Sequence, residues 1–553
     1  MRALAGGLLV LAVGCNGPMV VDAGSDAGMG PPVDAGPPAA HWFDDVTVAS
    51  GVDAERPDDF RNLPERMNGG VCVLDVDGQP PMDLFFAMMS GGGARAHLYV
   101  ADAPMAFVDQ TSARGLGDIE NAMGCLAFDA EGDGDDDLLV TGLGVVRLFL
   151  RDGEGFVEAT DQLGLTPDPV GMYTGGAAGD VDDDGDVDLA IAAFVHWDEA
   201  RLPEMCGLAC GGLLQVYEPI PNFLLLREDD GTYREAASEL APDLARLEPT
   251  QLISITDLDG DGRVDIYVGN DLGVSYANRP LVRDASGVYR DVGLDLGMSH
   301  NASGYGIDSM GFSSADIDGD GQLDHVATSL PEDATAVFLC AEGFCEAQAP
   351  DLSGTLANEH TFRWGAALVD LDLDGRPDLV EAAGHIHSDE QARLIESSRD
   401  QPPNLLRNVG GRFEPIGVAP EDGRRPGVTR SVAITDLDED GRPDVVLGAT
   451  VGRPLLLRNV VDPIGSWLRV RLVGLAPNAG GLGARVTIRD AGGALVGVQD
   501  RRAGEGYLGS FDPRLFFGVI GAGPFTVEAR WPAGGTTTLA GVMPGREVEL
   551  REE

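Results

Sequence analysis

The chain has 553 residues, long enough for several domains, and 91 acidic against 38 basic side chains give it a formal charge of -53. A surface that negative excludes binding nucleic acid, or an anionic membrane, through a basic face. The seven cysteines include no CxxC pair, so zinc-ribbon and thioredoxin-type readings have no support.

The opening MRALAGGLLVLAVGC has one Arg, an apolar run from Ala3 to Val13 and small residues before Cys15. That is the plan of a secretory signal, too short to span a bilayer. Ala12, Val13 and Gly14 before Cys15 resemble a bacterial lipobox, which implies a signal over residues 1–15 and lipidation of Cys15. Asn16 stands where an Asp would retain such a protein at the inner membrane, so the resemblance points to the outer membrane or cell surface, with membrane contact only through the lipid. A cleaved signal with an incidental Cys is the plainer alternative. Residues 16–40, rich in Gly and Pro and poor in large apolar side chains, read as a flexible tether.

One ten-residue pattern then recurs seven times, as DVDGQPPMDL from Asp75, DAEGDGDDDL from Asp129, DVDDDGDVDL from Asp180, DLDGDGRVDI from Asp257, DIDGDGQLDH from Asp316, DLDLDGRPDL from Asp370 and DLDEDGRPDV from Asp436. Recurrence on this scale is a repeat architecture. Acidic side chains at positions 1, 3, 5 and 9 with Gly at 6 suit a hard cation, because Ca²⁺ takes six to eight oxygens and Gly lets the backbone turn sharply beneath it. Without a cation, that many carboxylates would raise one another's pKa values. The predicted ligands are Asp129, Glu131, Asp133 and Asp137; Asp180, Asp182, Asp184 and Asp188; Asp257, Asp259, Asp261 and Asp265; Asp316, Asp318, Asp320 and Asp324; Asp370, Asp372, Asp374 and Asp378; and Asp436, Asp438, Asp440 and Asp444. Asp75, Asp77 and Asp83 form a weaker first set, since Gln79 and Pro80 occupy positions 5 and 6.

An EF-hand begins with the same spacing but needs a bidentate Glu at position 12. Here that place holds Phe86, Val140, Ile191, Val268, Ala327, Glu381 and Leu447. The flanks, such as LISITD before and DIYVGN after, are short β-branched runs that predict strand, turn and strand. A third apolar strand follows most copies, and then an aromatic opens a fourth: Phe107, Phe156, Tyr233, Tyr289, Phe344 and Phe413. Four strands in roughly 60 residues are the dimensions of a propeller blade. The seventh copy lacks its fourth strand, and HWFDDVTVASGV from His41 has the right pattern with no turn before it. The expectation is a seven-bladed β-propeller over residues 41–463, closed by the N-terminal strand so that no edge stays exposed. Alternating stretches such as WLRVRLVG, ARVTIRD and FTVEARW predict a small antiparallel β domain over 464–553.

These repeats resemble FG-GAP/VCBS repeats. FRWGAALVDLDLDGRPDLVEAAGHI, NLLRNVGGRFEPIG and SWLRVRLVGLAPNAGGLGARVTIRD further resemble the cartilage acidic protein family, whose propeller precedes an ASPIC/UnbV domain. The resemblance implies an all-β chain whose Asp turns bind calcium.

Cys206 with Cys210, and Cys340 with Cys345, are close enough in sequence to staple small loops; for Cys72 and Cys125 a bridge and two buried thiols stay equally open. His360, His385 and His387 fall on the blade face opposite the Asp turns and form a possible ligand site, against the plainer reading of surface histidines. The expected function is a non-catalytic, calcium-stabilised, monomeric envelope lipoprotein that binds a glycan or protein. The alternatives are a propeller lyase or hydrolase working at those histidines, and a scaffold whose C-terminal domain docks a partner.

Overall fold

Short β-branched runs separated by Asp- and Gly-rich turns leave the chain little to build but hairpins, and the regular structure of the computed structural model is nearly all β. It describes residues 42–54, 63–89, 95–197, 218–273, 275–330, 334–354, 361–386, 400–416 and 427–553. Among these, seven four-stranded antiparallel sheets lie between Phe43 and Asn459. In the first, Val71–Leu74, Asp83–Phe86, His97–Ala103 and Ala106–Asp109 pair in chain order. The next five start from Ala122–Phe128, Gly171–Gly179, Thr250–Thr256, Phe312–Ala315 and Arg363–Val369 and are built likewise. The seventh draws on both ends of the repeat region. Val428–Thr435, Asp444–Val451 and Leu455–Asn459 supply three strands, and Phe43–Asp45 supplies the outer one, with Phe43 opposite Asn459 and Asp45 opposite Leu457.

Apolar side chains fill each seam between consecutive sheets. Cys72 and Leu98 meet Leu138 and Phe149, Leu139 meets Leu189, and Ala190 and Leu224 meet Ile266. Tyr267 then stacks on Phe312 with ring centroids 4.0 Å apart, Val326 meets Leu379, and Val380 meets Val432. Finally Val446 and Leu456 of the seventh sheet pack on Leu84 and Tyr99 of the first. The order of contacts returns to its start, so the arrangement is propeller-like. Each fully buried Leu, Ile, Val or Phe among them contributes about 1.5–3 kcal/mol. A disulfide between Cys72 and Cys125 joins the first strands of sheets one and two, which decides the alternative that the sequence left open.

The aromatic expected on each fourth strand is buried in six sheets, as Phe43, Phe107, Phe156, Tyr233, Tyr289 and Phe413. In the fifth the expectation fails. Phe344 is 52% exposed and Cys345 takes the buried place, paired across the strands and by a disulfide with Cys340. The sequence shows an aromatic at the right distance; only the register shows that its neighbour points inward.

The C-terminal domain has two sheets. Leu495–Asp500, Arg485–Arg489, Phe525–Arg530 and Thr536–Val542 form one. In the other, Ser466–Val473 pairs antiparallel with Leu515–Val519 but parallel with Arg546–Arg551, which corrects the expectation of a purely antiparallel domain. Leu468, Val470, Ile488, Phe517, Val527 and Trp531 form the core between them.

Candidate metal centres and the domain that covers them

Within each hairpin the first and ninth carboxylates are held by backbone N–H groups. The ninth is a clamp. Asp83 Oδ2 accepts from Val76 at 2.7 Å and its Oδ1 from Ala101 at 2.8 Å on the third strand; Asp444 does the same with Leu437 at 2.7 Å and Asn459 at 2.6 Å. Asp137, Asp188, Asp324 and Asp378 repeat the pattern. The first carboxylate closes the turn: Asp257 accepts from Gly260 and Gly262, and Asp316 from Gly319 and Gly321, at 2.8–3.0 Å. Position 6 lies in the left-handed region, with φ 89° at Gly262 and 92° at Gly321, which is why Gly recurs there. In the first turn Pro80 has no N–H to give, and of these two bonds Asp75 keeps the one from Gly78, at 2.6 Å.

Further carboxylate oxygens converge inside these turns. Ligand atoms of Asp75, Asp77 and Asp83, of Asp180, Asp182 and Asp188, of Asp257, Asp259 and Asp265, and of Asp316, Asp318 and Asp320 lie within 4.8 Å of one another. In the seventh turn Asp438 Oδ1 is buried with no hydrogen-bond partner among the described residues. Clustered oxygen donors with a spare acceptor fit a hard divalent cation.

Burial, and then the neighbouring carboxylates, make these groups hard to ionise without one. It pushes Asp83 and Asp324 up to about 7 and Asp137 and Asp188 to about 8. Asp265, Asp378 and Asp444 are raised well above the ordinary carboxylate range. Among first-position groups, Asp180, Asp257 and Asp316 rise to about 6, Asp436 to about 7 and Asp370 to about 8.

Arginines answer part of this charge, unevenly. In the seventh turn Arg469 meets Asp436 at 2.8 Å, Arg458 meets Asp438 at 2.6 Å and Arg442 meets Asp440. In the sixth, Arg407 meets Asp372 at 2.7 Å and Arg376 meets Asp374. In the fourth, Arg485 stands 3.3 Å from Asp257 and Arg263 2.6 Å from Asp261. Arg469 and Arg485 belong to the C-terminal domain, which therefore sits over the acidic turns. Trp467 lies over Gly441, where a Cβ would come 1.9 Å from its ring, and Gly518 over Asp370.

The domain also reaches inward. Its loop over residues 503–510 bonds to the first strands of several sheets. Ala178 N–H donates to Ala503, Phe312 and Gly506 exchange two bonds at 3.2 Å, and Cys125 N–H donates to Leu508. Ser510 N–H donates to Val71, and Val73 N–H donates back to Ser510. Tyr507 is buried beside Trp364, its hydroxyl 3.1 Å from Gln251, and it shares an apolar cluster with Met67, Met123, Met172 and Met310. Sequence reasoning missed this plug. Its signal was GEGYLGS, an aromatic and a Leu set among glycines in a polar stretch.

Of the three histidines expected on the opposite face, His385 is fully buried and packs against Phe362 with ring centroids 4.0 Å apart and the planes tilted by 48°; His360 and His387 lie outside the described residues, as do Cys15, Cys206 and Cys210. Among the described residues no helix is long and apolar enough to cross a membrane.

Residues 474–553 match the family described as ASPIC and UnbV, which supports assigning the C-terminal domain to it. Fold and site together define a nearly all-β protein: a propeller-like array of acidic hairpins covered by an ASPIC/UnbV domain. No curated protein matches the chain. Among solved structures it is similar to a lectin from Agrocybe aegerita described as recognising non-reducing terminal N-acetylglucosamine, at 14% identity and TM-score 0.38, covering 72% of this chain and 91% of that one. It is also similar to a rhamnogalacturonan lyase from Bacillus licheniformis, at 11% identity and TM-score 0.35, covering 70% and 71%. A third likeness is to the extracellular domain of a one component system from B. thetaiotaomicron, at 11% identity and TM-score 0.41, covering 82% of this chain but 44% of that one. At these scores the likenesses carry no argument.

Proposed function

We propose that the chain is a calcium-stabilised, non-catalytic binding protein of the cell envelope, anchored through Cys15. Its seven sheets act as the blades of a propeller that presents a glycan- or protein-binding surface. Calcium neutralises the turns, so that carboxylates which would otherwise resist ionisation become ligands. The observation that carries the binding part is the place of the C-terminal domain: it covers the turns and puts residues 503–510 among the first strands, so the opposite face is the one proposed to bind a ligand. FG-GAP/VCBS character and the outer-membrane location follow from the sequence resemblances.

Three measurements test this. Melting the purified protein in calcium and in chelator is expected to show a large loss of stability without the ion; an unchanged melting temperature would sink the calcium reading. A glycan array run in calcium, with a pull-down from native envelope beside it, is expected to return a ligand whose binding survives substitution in the C-terminal domain surface. Turnover of chromogenic glycosides or esters, lost on His385→Ala in a folded variant, would replace the binding reading by an enzyme.

A further inference from the structure

Three departures from the repeat meet in the fifth sheet. The residue after the ninth-position Asp is aliphatic in six copies, as Leu84, Leu138, Leu189, Ile266, Leu379 and Val445, and is His325 in the fifth. The third-strand residue that donates to that Asp is Ala101, Arg151, Arg227, Asn408 or Asn459 elsewhere, and here it is Cys340. Opposite it, where the other six fourth strands bury an aromatic, stands Cys345. One substitution could be drift. Three close together, each placing a metal-ligating type where the other copies have none, form a group.

The geometry supports that grouping. His325 is fully buried, stacked on Phe312 with centroids 5.3 Å apart, and its Nδ1 lies 2.7 Å from Ser314 Oγ. With Nδ1–H donating to Ser314, Nε2 presents a lone pair, and it is buried with no hydrogen-bond partner among the described residues. An aliphatic side chain would leave no such orphan. Ligand atoms of His325, Cys340 and Cys345 lie within 4.8 Å of one another. Tetrahedral zinc with two sulfurs and one imidazole holds its donors about 3.5–3.8 Å apart, by its bond lengths, so the bonded sulfurs must part by reduction while the imidazole already stands within reach of them. A cavity of about 70 Å³ between Gly343, Phe344, Arg485 and the fourth turn's Asp257 and Asp259 reaches Cys340 and is large enough to bring water to that sulfur.

We propose that this corner of sheet five is a redox-gated zinc site, in which the opened Cys340–Cys345 pair and His325 Nε2 bind Zn²⁺. The chemistry balances. A dithiol gives two electrons and two protons, closing its own disulfide while the Cys340–Cys345 bond becomes two thiols. Zn²⁺ then displaces both thiol protons and takes the neutral imidazole. Thiolate and imidazole donors separate this site from the oxygen-lined turns, and it does not rest on the calcium reading.

The test uses the full chain carrying C206S/C210S, held in excess Ca²⁺ so that the carboxylate turns do not compete, with Co²⁺ as the spectroscopic probe. Before reduction no thiolate-to-cobalt band is expected. After dithiol treatment one equivalent of Co²⁺ gives that band with tetrahedral visible absorption, and Zn²⁺ displaces it. The band survives C72S/C125S, is lost in C340S/C345S, and in H325Q needs at least tenfold more metal. A reduced parent chain without the band, a band that persists in C340S/C345S, or unchanged affinity in a folded H325Q each overturns the proposal.

Discussion

The turns of sheets five and seven, DIDGDGQLDH and DLDEDGRPDV, share the four Asp and the Gly that define the motif, yet they meet their charge differently. In the seventh, Arg469, Arg458 and Arg442 face Asp436, Asp438 and Asp440, and one of those arginines arrives from the C-terminal domain. In the fifth, the described partners of Asp316, Asp318 and Asp320 are backbone N–H groups and Gln322. One repeat motif thus meets arginine side chains at one place and backbone N–H groups with a glutamine at another; on the proposed calcium reading, the fifth turn leaves more of its charge to the ion. Unequal dependence on calcium is the expected consequence.

What the two turns share gives the largest expected effect. Asp324→Ala and Asp444→Ala each strand two backbone N–H groups, at about 1–3 kcal/mol apiece, so each is expected to lose about 2–6 kcal/mol in urea unfolding. If one variant is near neutral, the ninth-position clamp is not the common element. What only the seventh turn has comes next. Arg469→Met removes a buried partner of Asp436 and is expected to cost about 3 kcal/mol, read from the same midpoints, while no arginine change produces an equal loss through the fifth turn.

Calcium separates the two turns further. A filled site at one hundred times its dissociation constant stabilises by about 2.7 kcal/mol. Asp318→Asn should therefore remove more of the chelator-sensitive stability than Asp438→Asn does, as measured by calorimetry in calcium and in chelator. Equal losses would mean that the arginines do not substitute for the ion.

The pH dependence has a definite sign. In the metal-free chain Asp316 and Asp324 are raised to about 6 and about 7, and Asp436 to about 7, first by burial. Groups whose folded pKa exceeds the unfolded value stabilise the fold fully below about pH 4 and lose that contribution as pH rises through 6 to 8. Chelated protein should thus become less stable from pH 5 to pH 8, and calcium should abolish the decline; a flat chelated profile would contradict the burial argument. The smallest effect belongs to the exposed pair Arg263 and Asp261, where Arg263→Ala is expected to cost about 0.5 kcal/mol and to fade in high salt.

Much of the fold could be read from spacing, because a hairpin turn is a local event. The position of Gly, the acidic residues around it and the β-branched flanks are all close neighbours in the chain. The closing strand was legible for the same reason: seven turns with only six complete fourth strands leave one strand to be supplied, and Phe43–Asp45 is it. Register was not legible. Phe344 and Cys345 are adjacent, and which of them faces inward depends on pairing with Cys340 across the sheet. The charge partners were hidden too, since Arg469 and Asp436 are distant in sequence and meet only after two domains have folded and docked.

Residue types a few positions apart were enough to dictate the strand–turn–strand unit, its number, its acidic chemistry and the separate C-terminal β domain. Other outcomes waited for the folded chain: the C-terminal domain lies over the acidic turns, residues 503–510 thread among the first strands, and His325 stands beside Cys340 and Cys345. Those outcomes depend on which surfaces bury one another, and burial is a property of the assembled molecule.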